Sequence, residues 1–133
     1  MTKADVAELR SALEIATTSL VAAVQEALPD LRSQKGAVLV TNGGLGYFDT
    51  STDKMGVAWN AMGLSVANSA KHKLVRLLHH KLKDEGVYVG EIMVTGTVKG
   101  TAFDSGNATL DPAEIARQFW SAWQSRQDVS VRI

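Results

Sequence analysis

A small parallel β-sheet packed between helices is the fold class this sequence predicts, and three observations carry it. Two short apolar runs without alternation, "AVLVTN" at 37–42 and "VYVGEIMV" at 87–94, have the composition of strands buried on both faces. Stretches of helical periodicity precede, separate and follow them. The closing "VSVRI" alternates and reads as a third strand. Strands joined through whole helices pair in parallel, so the order α-β-α-β-α-β gives a layered sheet with helices on both faces.

Each element has its own signal. Residues 3–28 read as one long helix, with Val6, Leu9, Leu13, Leu20, Val24 and Leu28 at helical spacing. Pro29 disfavours helical geometry at the residue before it and places the stop near Leu28. After the first strand, "GGLGYFDTSTDKMG" reads as a loop by its Gly, Ser, Thr and Asp content. The next helix starts between Val57 and Ser65, carries Leu74, Leu78 and Leu82 as a ladder, and ends at a Gly86 cap. "TGTVKGTAFDSGNATL" is a second loop. Asp111 as N-cap, Pro112 and Glu114 then start a helix that buries Ile115, Phe119, Ala122 and Trp123. The first strand has no evident neighbour on its outer edge, and an uncovered apolar edge invites a second chain.

Composition narrows the function. With 133 residues, the chain is expected to form a single domain. Lys and Arg number 14, as do Asp and Glu, so no global field attracts nucleic acid or an anionic membrane. There is no cysteine for disulfide or thiolate chemistry. "MTKADVAELR" has charges of both signs and no apolar core of a secretory signal. A cytoplasmic setting is expected.

The layout resembles the C-terminal half of the short-chain dehydrogenase/reductase family over nearly the whole chain. The phrase "EALPDLRSQKGAVLVT" is similar to a family helix that runs through a turn into a strand. "LVRLLHHKLKDEGVYVGEIMVTG" is similar to the helix and strand that follow, with Thr95-Gly96 where the family has a Pro-Gly turn. "GTAFD" and "DPAEIARQFW" look like the tail of some members. The resemblance therefore implies that residues 1–133 are one truncated, Rossmann-like domain. The family's nucleotide-binding half would lie N-terminal to it. "NGGLG" at 42–46 does not match the dinucleotide fingerprint in spacing, and the next helix starts too late to aim at a phosphate.

The resemblance also implies catalytic positions: a Tyr that transfers a proton, a Lys four residues on, a Ser and an Asn. Aligned without gaps from the leucine ladder to Gly86, these fall on Leu64, Asn68, Asn42 or Gly43, and Ala16. Leucine transfers no proton and asparagine carries no charge to shift a neighbour's pKa. A shift of three residues puts Lys71 at the Lys position and Ala67 at the Tyr position, but loses the leucine phase. Tyr47 lies far in sequence from any helical lysine. The expectation is no catalytic, cofactor-binding or metal-binding residue, with a remnant cleft at Asn42, Leu64, Asn68, Thr95 and Gly96.

His72, His79 and His80 share a helix with several basic residues and read as its solvated face, not as metal ligands or a nucleic-acid surface. Trp59, Trp120 and Trp123 read as core or interface. The function expected is that of a catalytically vacant module that forms a homodimer or higher oligomer, or binds a partner, through its long helices and open sheet edge. No cofactor is expected, nor a nucleic-acid or membrane partner. The alternatives are the C-terminal half of an NAD- or NADP-dependent oxidoreductase completed by a separate nucleotide-binding chain, and small-molecule binding in the remnant cleft.

Overall fold

The computed structural model describes residues 1–3 and 5–133. Three strands, β1 (Ala37–Gly43), β2 (Tyr88–Val94) and β3 (Ser130–Arg132), form one parallel sheet in the order β1-β2-β3. Their register sets Val40 beside Glu91 and Asn42 beside Met93. Around the sheet pack helices α1 (Val6–Leu13), α2 (Ser19–Ser33), α3 (Thr50–Ala58), α4 (Met62–Leu82) and α5 (Pro112–Ser125). The predicted α/β class and parallel pairing are what the chain adopts.

Side-chain alternation divides the sheet into two faces. On one, Val40, Val87 and Val89 meet Val24 of α2 and Val75 and Leu82 of α4. Against the other face lies α5, in contact with β2 and β1. The central strand is buried at every position from Tyr88 to Met93, whereas Thr41 of β1 is exposed. The expectation that both apolar runs are covered on two faces therefore holds for β2 and fails for β1, which is an edge.

Four local expectations are corrected. The first helix is not one regular element: Glu14–Thr18 form a π-helical turn between α1 and α2. Here Thr17, Thr18 and Ser19 donate their hydroxyls to the carbonyls of Leu13, Glu14 and Ile15, four residues back. Three successive bonds of this kind compete with the backbone ladder and loosen it. Pro29 does not stop the helix, which runs to Ser33. Leu31, beyond it, is partly buried and packs against the core. That apolar contact offsets part of the roughly 3 kcal/mol cost of an interior proline.

The stretch 43–56 is not all loop. Gly44–Gly46 make a 3-10 turn, and Asp49 caps α3 by accepting from the Thr52 amide at 2.9 Å and the Thr52 hydroxyl at 2.7 Å. Its Ser, Thr and Asp residues are an N-terminal cap, which composition alone cannot tell from a loop. On α5, Ala122 is buried, but Trp123 lies exposed and tilted against Trp120, ring centroids 4.8 Å apart. The Gly86 stop is as expected: Gly86 takes the left-handed conformation at φ 79°.

Two outcomes test this packing. Leu82→Ala should lower stability by about 2–5 kcal/mol in urea denaturation; a loss near zero would remove Leu82 from the core. Hydrogen bonds from Ser51 and Thr52 hold the Asp49 carboxyl down from 3.8 to about 2. A depressed carboxyl contributes stability above its unfolded pKa and loses it as pH falls through the folded value. Asp49→Ala should therefore lower the melting temperature at neutral pH, with the difference from the parent fading between about pH 4 and 2.

Candidate functional site

The most unusual side chain of the sheet is Glu91, a carboxylate 1% exposed in the middle of the central strand. Alternation turns it toward α4, on the same face as Val89 and Met93. Such a charge is costly to bury unless its oxygens are matched. Both are. The Asn42 side chain donates to Oε2 at 3.0 Å from β1, and His72 of α4 bonds Oε1 through Nδ1. Asn42 also donates to the Asn68 carbonyl at 3.1 Å, and its own oxygen accepts from the Gly43 amide at 2.9 Å. The result is a continuous polar chain from β1 through β2 to α4, with no buried side-chain polar atom lacking a partner among the described residues.

Around this pair stand further polar groups. The Tyr47 ring meets His72 edge-on, with centroids 6.0 Å apart, and Arg132 of β3 lies 5.6 Å from its centre. Burial pushes the Tyr47 hydroxyl above its usual pKa, Arg132 opposes the rise and Glu91 adds to it. Lys71, next to His72 in the chain, is pushed down by burial while Glu91 acts against that shift. Ser69 donates to the Gly46 carbonyl at 3.0 Å and ties α4 to the turn above β1. This cluster sits toward the carboxyl ends of the strands, the end at which open α/β sheets bind ligands. Chemically, Glu91 can fix the tautomer and orientation of His72 and leave Nε2 as the ring's second nitrogen.

The structure brings part of the expected remnant cleft together. Asn42 and Asn68 meet directly. A Cβ at Gly43 would stand 2.6 Å from the Asn68 amide nitrogen, and one at Gly44 would stand 2.9 Å from Thr95. Gly96 lies apart, against Leu110. Leu64 is 51% exposed and faces a different recess, between the first residues of the chain and the start of α4. The glycines of "NGGLG" approach their own chain and form no phosphate cradle.

Sequence reasoning missed the cluster's centre. His72 is not on a solvated face but paired with Glu91, and His79 bonds the Val89 carbonyl through Nδ1 at 2.8 Å. Tyr47, distant in sequence from the helical basic residues, stands beside His72 and hence one residue from Lys71. The available signal was Glu91 itself: a lone carboxylate inside "VYVGEIMV" demands a partner, and His72 was the nearby residue type able to supply one.

Comparison with known proteins places the fold. No family model and no curated protein matches the chain. Solved structures do. A short-chain dehydrogenase/reductase of unknown function from Caenorhabditis elegans, described with cofactor, superposes with a TM-score of 0.78 at 13% identity, covering 98% of this chain and 56% of its own. A short-chain dehydrogenase from Sphingobium yanoikuyae in complex with NADPH gives 0.75 at 12% identity, covering 99% and 51%. The bulky-bulky ketone specific alcohol dehydrogenase from Comamonas testosteroni gives 0.74 at 10%, covering 99% and 49%. The chain has the Rossmann-like fold of the C-terminal half of short-chain dehydrogenases/reductases, and spans about half the length of these structures.

One expectation is overturned by these neighbours. No cofactor was expected, yet two of them are cofactor complexes, one with NADPH. NADPH therefore accompanies this fold in one neighbour and an unspecified cofactor in another.

The buried cluster yields a test. His72→Ala leaves a buried carboxylate short of a partner and should cost about 3–5 kcal/mol in urea denaturation. Replacing both partners, His72→Leu with Glu91→Leu, should recover most of that loss. A double variant no more stable than His72→Ala would show that the pair matters through something other than matched burial.

Proposed function

We propose that this chain is the C-terminal half of a nucleotide-dependent oxidoreductase fold, completed along the free edge of β1 by a nucleotide-binding half. Its contribution is to close the sheet and wall one side of the ligand site. The proton relay of the short-chain dehydrogenases is vacant in it, with Leu64 and Asn68 where the gapless alignment puts Tyr and Lys. Independent hydride transfer is outside its repertoire.

The observation that carries this reading is the edge. β1 is seven residues long, hydrogen-bonds a strand on one side only, and belongs to a fold whose solved neighbours are about twice as long as this chain. Exposed strand edges are templates for another strand. Matched burial of Glu91 holds β1 against β2 and keeps that edge straight and ready to pair.

Reconstitution tests it. A Gly-rich βαβ half from the same locus, joined to this chain or expressed beside it, should assemble with it one to one. Amide exchange at residues 37–43 should slow on assembly, and NADPH fluorescence should respond to the pair and not to this chain alone. NADPH binding by the chain alone, or an assembly that leaves the β1 amides in fast exchange, overturns the reading.

A second reading, self-association through the long helices, is favoured by large apolar side chains left in solvent: Ile15 of the π-helical turn is 72% exposed and Val66 of α4 is 43% exposed. Under it, light scattering should report a dimer or larger species. A monomer at the highest soluble concentration would exclude it.

A further inference from the structure

We infer that the chain carries a second binding site, for a phosphate or phosphomonoester, in a cleft of about 420 Å³ at the opposite end of the sheet from the Glu91 cluster. It lies where β2 begins. His79 and Lys83 come from the end of α4 and the turn after it, Gly86, Val87 and Tyr88 form the floor, and Arg126 closes it from the end of α5. A volume of this order exceeds a bare oxyanion and suits one attached to a small organic group.

Charge selects the ligand class. The groups that line the cleft and can carry charge at neutral pH are His79, Lys83 and Arg126, and no carboxylate lines it. Among the described residues the ion pairs are Arg32 with Glu85 and His72 with Glu91, so neither Lys83 nor Arg126 is part of one. Arg126 is held in place while it retains donors. Its Nη1 donates to the Lys35 carbonyl at 2.6 Å and its Nε to the Trp123 carbonyl at 3.4 Å, which leaves the other guanidinium N–H groups free. A guanidinium fork of this kind suits the oxygens of a phosphate.

Backbone conformation adds to the argument. Arg126 and Lys35 both adopt positive φ, 52° and 50°, and meet each other beside Gly86, whose own φ is 79°. Glycine or asparagine holds such positions at lower cost than a long basic side chain. Cations also neutralise the carbonyl ends of α2, α4 and α5, which converge here. That need accounts for basic residues near each helix end. It does not account for a cleft between them, nor for the absence of acids in its lining.

His79 is held at the cleft by its Nδ1, which bonds the Val89 carbonyl and leaves Nε2 as the ring's other nitrogen. The titratable and charged groups around it are His80 and Lys83 from its own helix region, Tyr88 on β2, Arg126 and Asp128 from the segment after α5, and Lys35 from the turn after α2. Tyr88 donates to the Asp128 carbonyl at 2.6 Å and is a wall of the cleft.

Sulfate is the first probe, with inorganic phosphate and AMP as the second and third. Isothermal titration at low ionic strength, with amide shifts of residues 83–88 followed by NMR, should detect binding to the intact chain. Lys83→Ala should weaken sulfate binding about tenfold. Arg126→Gly should weaken it similarly while keeping the fold, because glycine relieves the positive φ. Lys54→Ala, on α3, should leave it unchanged. Tighter binding of AMP than of phosphate identifies an organic phosphate as the ligand, and equal binding identifies the free anion. Absence of sulfate shifts at residues 83–88, or equal affinity for the parent, Lys83→Ala and Arg126→Gly, overturns the proposal and leaves these cations as neutralisers of helix ends. Neither result bears on the β1 edge.

Discussion

The matched burial of one carboxylate organises the functional end of this molecule. Glu91 lies in the strand that every other layer packs against, and a charge there is tolerated only because Asn42 and His72 meet both of its oxygens. Those two partners come from β1 and α4. Satisfying a single side chain therefore sets the side-by-side position of two strands and the rotation of the longest helix. Asn42 extends the chain of bonds to Asn68 and Gly43, so the turn after β1 inherits the same alignment. A slip of one residue in β1 would turn Asn42 to the other face and leave the carboxylate unmatched.

That arrangement is also compatible with the proposed vacancy of the reductase proton relay, which leaves the fold intact. In the gapless alignment Asn68 takes the position of a catalytic lysine. A neutral amide there is compatible with the close approach of Gly43 and Gly46, whose hypothetical Cβ atoms would stand 2.6 Å and 2.8 Å from Asn68. Polar groups have instead gathered one helical turn further along α4, at His72. Fold and chemistry separate readily in α/β proteins because the sheet needs apolar packing, while catalysis needs a few side chains at its carboxyl end.

The two ends of the sheet differ in kind. Toward the carboxyl ends of the strands the polar groups are paired, buried and committed to one another. At the other end, His79, Lys83 and Arg126 surround open space without an acid among them. β1 adds a second unfinished feature, an edge paired with a strand on one side only. A half-fold of this type has more unmet surface than its length alone requires, and its function is most economically sought there.

Much of the fold was legible in the residues. Two unbroken apolar runs, the leucines ending at Leu82, the Gly86 stop and the Asp111-Pro112 start all rest on local chemistry: side-chain period, a positive φ, a cap and a fixed ring. The family resemblance followed from their order. Tertiary contacts decided the remainder. Pro29 sits inside a helix that continues because Leu31 packs against the core beyond it, and β1 is an edge because no strand among the described residues pairs with its outer side. The strand composition of β1 could not reveal that second fact. The Glu91–His72 pair joins positions 19 residues apart, one on a strand and one on a helix. No local pattern encodes that meeting, which arises only when the helix docks on the sheet and a buried charge must find a partner.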